Sequence, residues 1–282
     1  MNQHYQAVLA RDGLPASVID CLSGKIRGKV LQMDAPAKWY GFPPALVPIW
    51  SEEDGSNYLG YWRHWFLDRP GTFVEFEVRR YLPSTGQHMM RASEIARTAA
   101  QFFGCVAIKA LYFADKVTPE LRKFAERVGL ADLTAYEAVA AKIRYEPLGF
   151  YALPGFDRDL PLASVSDVRT YTGAFPTSLP FGSQAWRQTC CSFELTEDAL
   201  DEWPQGTDVP LWLSKGKKVK LFDTFLGAGD FARAWLTLNS NGWKISEAKD
   251  ALARLAEAAG DEHFSLLAQA WAAVATDSVK GY

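Results

Sequence analysis

The chain has 282 residues, 48% hydrophobic and 22% charged, an ordinary globular composition long enough for one large domain or two smaller ones. A formal net charge of -3 argues against a general nucleic-acid binder, whose footprint is basic, and no apolar run approaches the ~18 residues of a membrane span. Four cysteines without any CxxC spacing argue against a disulfide framework and a structural zinc site. The first residues, MNQHYQAVLARDG, lack a sustained apolar core, so no secretory leader is expected and the bacterial cytoplasm is the expected location.

In chain order, residues 1 to 22 read as a short helix with Tyr5, Val8 and Leu9 on one side, then another turn or two of helix over Ala16 to Leu22. Gly24 to Met33 alternates enough to predict a strand, and Trp39 to Pro44 is a Gly- and Pro-rich loop. The stretch Ala45 to Val78 holds an apolar run to Trp50, an acidic turn from Ser51 to Asn57, an aromatic run, and β-branched and aromatic residues from Thr72. It predicts two or three antiparallel strands, with Asp54-Gly55 as the first turn because Gly supplies positive φ.

Next, Ala92, Ile95, Ala96, Ala99, Phe102 and Phe103 stand three and four apart, predicting a helix capped by Ser93 and stopped by Gly104. Thr118-Pro119-Glu120 opens a helix that Gly129 ends, and Thr134 with Glu137 reads as a capping box for a helix reaching about Arg144. From Tyr145 to Gly182, Pro and Gly punctuate an ordered, apolar strand-and-loop segment, which places a domain boundary there: 1–145 and 146–282. Beyond it, strands are expected over Ala185 to Phe193, Val209 to Ser214 and Val219 to Leu226, and a helix over Thr196 to Trp203. The chain ends in helices: Phe231 to Leu238, Ser246 to Ala259 capped by Ser246, and a third capped by Asp261. The fold class is α+β: an antiparallel sheet with flanking helices, then a mixed α+β half ending in helices.

The Pro-Ile run, the acidic Gly-containing turn and the aromatic strand within Ala45 to Val78 resemble the central signature of the SMI1/KNR4 (SUKH) superfamily. Ala92 to Ala96, running to Phe102-Phe103, resembles that family's terminal helix. The resemblance covers at most residues 10 to 110, and departs in lacking the family's long N-terminal helix and in having one Gly, Gly55, where the family often has two. It implies an α+β domain with an antiparallel sheet. It also implies an immunity protein, a cytoplasmic non-enzyme that binds and neutralises a cognate bacterial toxin by blocking its active site. Toxins of this kind are often nucleases or nucleotide-modifying enzymes.

Chemistry-bearing patterns are sparse. Gly227-Ala228-Gly229-Asp230 precedes a helix but lacks a phosphate-binding fingerprint, and reads as a helix-entry loop. His64 has no metal-ligand spacing and reads as a strand residue with one face in water; Cys190-Cys191 reads as core. No metal and no organic cofactor is expected, nor direct nucleic-acid or membrane binding. The acidic turn differs, since adjacent carboxylates repel while charge and rigid aromatics together suit an interface. The expected partner-binding residues are therefore Glu52, Glu53, Asp54, Tyr58, Tyr61 and Trp62. The competing functions are a hydrolase using His64 or Cys190 with the carboxylates, and an intracellular adaptor.

Overall fold

The computed structural model describes residues 2–37, 41–53, 57–66, 70–82, 87–143, 191–194, 217–240, 242–276 and 282. Among the described residues the sheet has five strands: β1 (Leu46–Ser51), β2 (Asn57–Trp62), β3 (Thr72–Leu82), β4 (Gln87–Ala96) and β5 (Cys191–Glu194), in sequence order. Every neighbouring pair is antiparallel. The 45–78 stretch is therefore the start of the main sheet, as its turn-bounded aromatic content predicts. A bulge between Pro48 and Trp50 shifts the β1–β2 register. Pro48 lacks a ladder donor and sits on the outermost strand, where that costs least.

Helices cover both faces. The helices among the described residues are α1 (Asn2–Arg11), α2 (Ala16–Leu22), α3 (Ala99–Ala114), α4 (Pro119–Val128), α5 (Leu133–Ile143), α6 (Lys218–Gly227), α7 (Phe231–Leu238), α8 (Ile245–Ala259) and α9 (Glu262–Val274). On one face Phe102 of α3 stacks on Phe73 at 4.6 Å, and Trp50 meets Phe102 at 5.9 Å and Phe124 of α4 at 6.1 Å. Lys109 of α3 closes the edge of that contact with an ion pair to Glu75 at 2.6 Å. On the other face Tyr58 meets Phe42 at 5.2 Å, and the Phe42 carbonyl accepts from Trp271 Nε1 of α9 at 2.9 Å. α9 also lies on α1, with Arg11 paired to Glu262 at 3.3 Å. One apolar core runs from Tyr5 through the sheet to Trp271. The fold is α+β, an antiparallel sheet with flanking helices.

Caps fix several helix starts. Thr118 accepts from the Leu121 N–H with Pro119 at the first position, and Gly129 ends α4 at φ 78. Asp230 caps α7, and Asp261 caps α9 through the His263 and Phe264 N–H groups. Some expectations are corrected. Residues 92–96 are strand, and the helix begins after Thr98, whose hydroxyl and Gln101 form a capping box. Gly104 lies inside that helix rather than ending it. A Cβ there would come 3.0 Å from Cε1 of Tyr136, so the bare backbone lets α5 approach. Gly24 to Met33 is not a strand but a coil with a 3-10 turn at Lys29–Leu31. Val219 to Leu226 is helical, with Phe222 and Phe225 buried at helical spacing. α5 starts one residue before Thr134, with Asp132 accepting from the Thr134 N–H at 2.9 Å. α8 starts at Ile245, and no side chain caps it. The expectations for 145–182, 185–190, 196–203 and 209–214, and the proposed domain boundary, lie outside the described residues.

Candidate functional site

The acidic turn joins β1 to β2. Its base is closed by the Glu52 N–H donating to the Asn57 carbonyl at 3.1 Å, and by Asn57 Nδ2 donating to Glu52 Oε2 at 2.9 Å. Glu52 is half-buried and Glu53 exposed; Asp54 lies outside the described residues. The aromatic partners sit elsewhere than expected. Tyr58 is fully buried, and Tyr61 and Trp62 are 5% and 3% exposed. Strand alternation sends Tyr58 and Trp62 to one face and Tyr61 to the other, and helices cover both. Trp62 stacks on Phe76 at 6.3 Å and Tyr61 meets Phe73 edge-on at 5.4 Å. These three rings hold the hairpin from below and are not surface contacts. Among the described residues of this cluster, Glu53 is exposed and Glu52 is half-buried.

The structure also assembles a buried polar group that sequence spacing does not reveal. Asp12 follows α1, Arg63 follows β2, and His263 is on α9. Arg63 Nη1 lies 3.1 Å from Asp12 Oδ1, and His263 Nε2 lies 3.8 Å from the same oxygen and 3.2 Å from the Val8 carbonyl. The Arg63 guanidinium rests 4.5 Å above the ring of Trp65, which meets His263 edge-on at 5.0 Å. The Asp12 side chain is 2% exposed. Burial raises its carboxyl above the usual range, partly offset by Arg63 and His263. Burial first, then the Asp12 charge, pushes the Tyr61 phenol up to about 12, against the pull of Arg63, which hydrogen-bonds it. Asp12 Oδ2 and Arg63 Nε have no hydrogen-bond partner among the described residues. The three residues come from segments far apart in sequence, so no motif announces them.

The remaining candidates are placed as follows. His64 lies beyond the end of β2 and is 4% exposed, not a strand residue with one face in water. Cys21 and Cys105 are buried free thiols, and the Cys105 Sγ donates to the Ile95 carbonyl at 3.1 Å. Cys190, and the side chain of Cys191, lie outside the described residues. The Asp230 carboxylate itself occupies the α7 start, accepting from the Arg233 N–H at 3.0 Å, so that turn is a helix entry. Among the described residues no group of three or more His, Cys, Asp or Glu could hold a metal, and no helix is long and apolar enough to cross a membrane. Comparison with protein-family models, curated proteins and solved structures found no match.

Proposed function

We propose that this protein is an inhibitor of the immunity type, which binds a cognate toxin protein and blocks its active site. The observation that carries this reading is the acidic end of the β1–β2 hairpin. Glu53 is exposed and Glu52 is fixed by Asn57, on strands whose aromatic side chains are locked in the core. Carboxylates on a rigid support lose little freedom when they bind. They are complementary to the electropositive site of a nuclease or nucleotide-modifying toxin and speed association with it. The reading also rests on the SMI1/KNR4 resemblance of residues 45–78; the stretch likened to that family's terminal helix is strand over 92–96 and helix only from Ala99. On this reading the protein is not an enzyme, acts in the cytoplasm, and contacts neither nucleic acid nor membrane directly. The test is co-expression with a toxin encoded beside it. A stable complex that abolishes toxicity is expected. Absence of both complex and protection would contradict the reading.

A further inference from the structure

Three segments meet at one dry carboxyl. Asp12 follows the last residue of α1, Arg63 follows the last residue of β2, and His263 lies in the first turn of α9. The Asp12 side chain is 2% exposed, and its own N–H donates to the Val8 carbonyl at 3.0 Å, which fixes it to the end of α1. The ionisable groups that face it are Arg63 and Tyr61 from the β2 side and His263 from α9. The neighbouring pair Arg11–Glu262 spans the same joint, but both side chains are exposed, so it contributes little.

An ionised carboxylate has about four acceptor sites to satisfy. Arg63 Nη1 stands 3.1 Å from Asp12 Oδ1. His263 Nε2 is 3.8 Å from the same oxygen, too far for a hydrogen bond, and meets the Val8 carbonyl instead at 3.2 Å. Asp12 Oδ2 has no hydrogen-bond partner among the described residues. The site therefore tolerates a neutral acid better than a carboxylate, whose second oxygen it leaves dry and without a donor. The pull of Arg63 is weakened too. Its side chain is 28% exposed, and its guanidinium is shared between Asp12, the Tyr61 hydroxyl and the Trp65 ring. Burial raises the Asp12 carboxyl, with Arg63 and His263 opposing, in agreement with this geometry.

We propose that Asp12 is a proton-operated clasp between α1 and α9, closed while its carboxyl is neutral and opening as it ionises. Opening lets water reach Oδ2, which the closed joint shields. The open joint leaves the carboxyl with its ordinary affinity for a proton, and the closed joint binds that proton more tightly. The closed form is therefore favoured most at low pH, and the open population grows as pH rises through the raised value. The joint bears on more than itself. α9 also holds the Phe42 carbonyl through Trp271, and Phe42 packs on Tyr58 of β2. The clasp thus couples pH to the support beneath the β1–β2 hairpin.

The test is amide exchange on the full chain from about pH 4 to about pH 8, each rate corrected for the base catalysis of free amides. Protection of the Asp12 and Leu14 amides at the end of α1, and of the Phe264 amide in α9, is expected to fall as pH rises. Protection of the β2 and β3 amides is expected to stay level. The fall is expected to be lost in Asp12→Asn, which keeps the shape and cannot ionise. Level protection in the unsubstituted chain, an equal fall in Asp12→Asn, or a parallel fall in β2 and β3 that marks global unfolding would each overturn the proposal. Should the asparagine variant not fold, the carboxyl carbon resonance of Asp12 in the unsubstituted chain provides the reading. Titration in step with the loss of protection supports the proposal, and titration at a different pH overturns it.

Discussion

At Asp12, burial and charge pairing act in opposite directions. Desolvation raises the carboxyl's pKa, and Arg63 and His263 only partly offset it. The folded chain therefore holds this proton longer than the unfolded chain, whose Asp titrates near about 3.9. That contribution to stability is fully present below about 3.9 and is lost as pH rises through the raised folded value. Asp12→Asn cannot ionise and lacks the loss, so its stability relative to the unsubstituted protein should increase as pH rises from about 4 to 7. Urea unfolding across that range checks it, and a difference that shrinks with pH would reverse the sign. Removing the cation instead strands the acid. Arg63→Ala should cost about 3 kcal/mol, the lower end for a broken buried pair, because Arg63 itself is 28% exposed.

Among the elements, β2 depends on Gly60. A Cβ there would stand 2.6 Å from the Val47 carbonyl and 2.8 Å from Cδ1 of Leu46, both on the neighbouring strand. Gly60→Ala must push β1 away and should cost about 2 kcal/mol, read as a lower melting temperature. An unchanged melting curve would show that β1 yields freely. The hairpin itself was legible in the sequence because turn residues bound two β-rich runs. The 92–103 run was not. Its apolar residues serve two elements, with Ala92 and Ala96 in β4 and Phe102 and Phe103 in α3, yet their combined spacing mimics one helix. The cue that separates them is Thr98 with Gln101, a capping box six residues after Ala92 rather than at the start of the run. Val219 to Leu226 failed in the opposite direction: its strand-like composition hid the helical spacing of Phe222 and Phe225. The acidic turn was legible as a turn, but the fate of its aromatics was not. Alternation says which face a ring takes, not that helices cover both faces.

At the scale of the molecule, the sheet is a support held from two sides. α3 and α4 press on the Trp50–Phe73 face, and Phe42 links the Tyr58 face to α9. Of the expected partner residues that are described, Glu53 is exposed and Glu52 half-buried while Tyr58, Tyr61 and Trp62 are packed inside, so the proposed inhibition rests on the carboxylates at the hairpin end. If that end meets a basic toxin site, it steers the encounter and its effect falls with salt. A carboxylate desolvated against Arg or Lys would add roughly 2–5 kcal/mol on removal, since its partner is then left buried and unpaired. The most direct measurement is the association rate of the cognate toxin with a chain carrying Glu52→Lys, Glu53→Lys and Asp54→Lys, after its melting curve is shown to be unchanged. The predicted result is association slowed at least about tenfold, with a weakened salt dependence and lost cell protection. Full retention of binding rate and protection would show that this hairpin end is a solvated loop and that the inhibitory surface lies elsewhere.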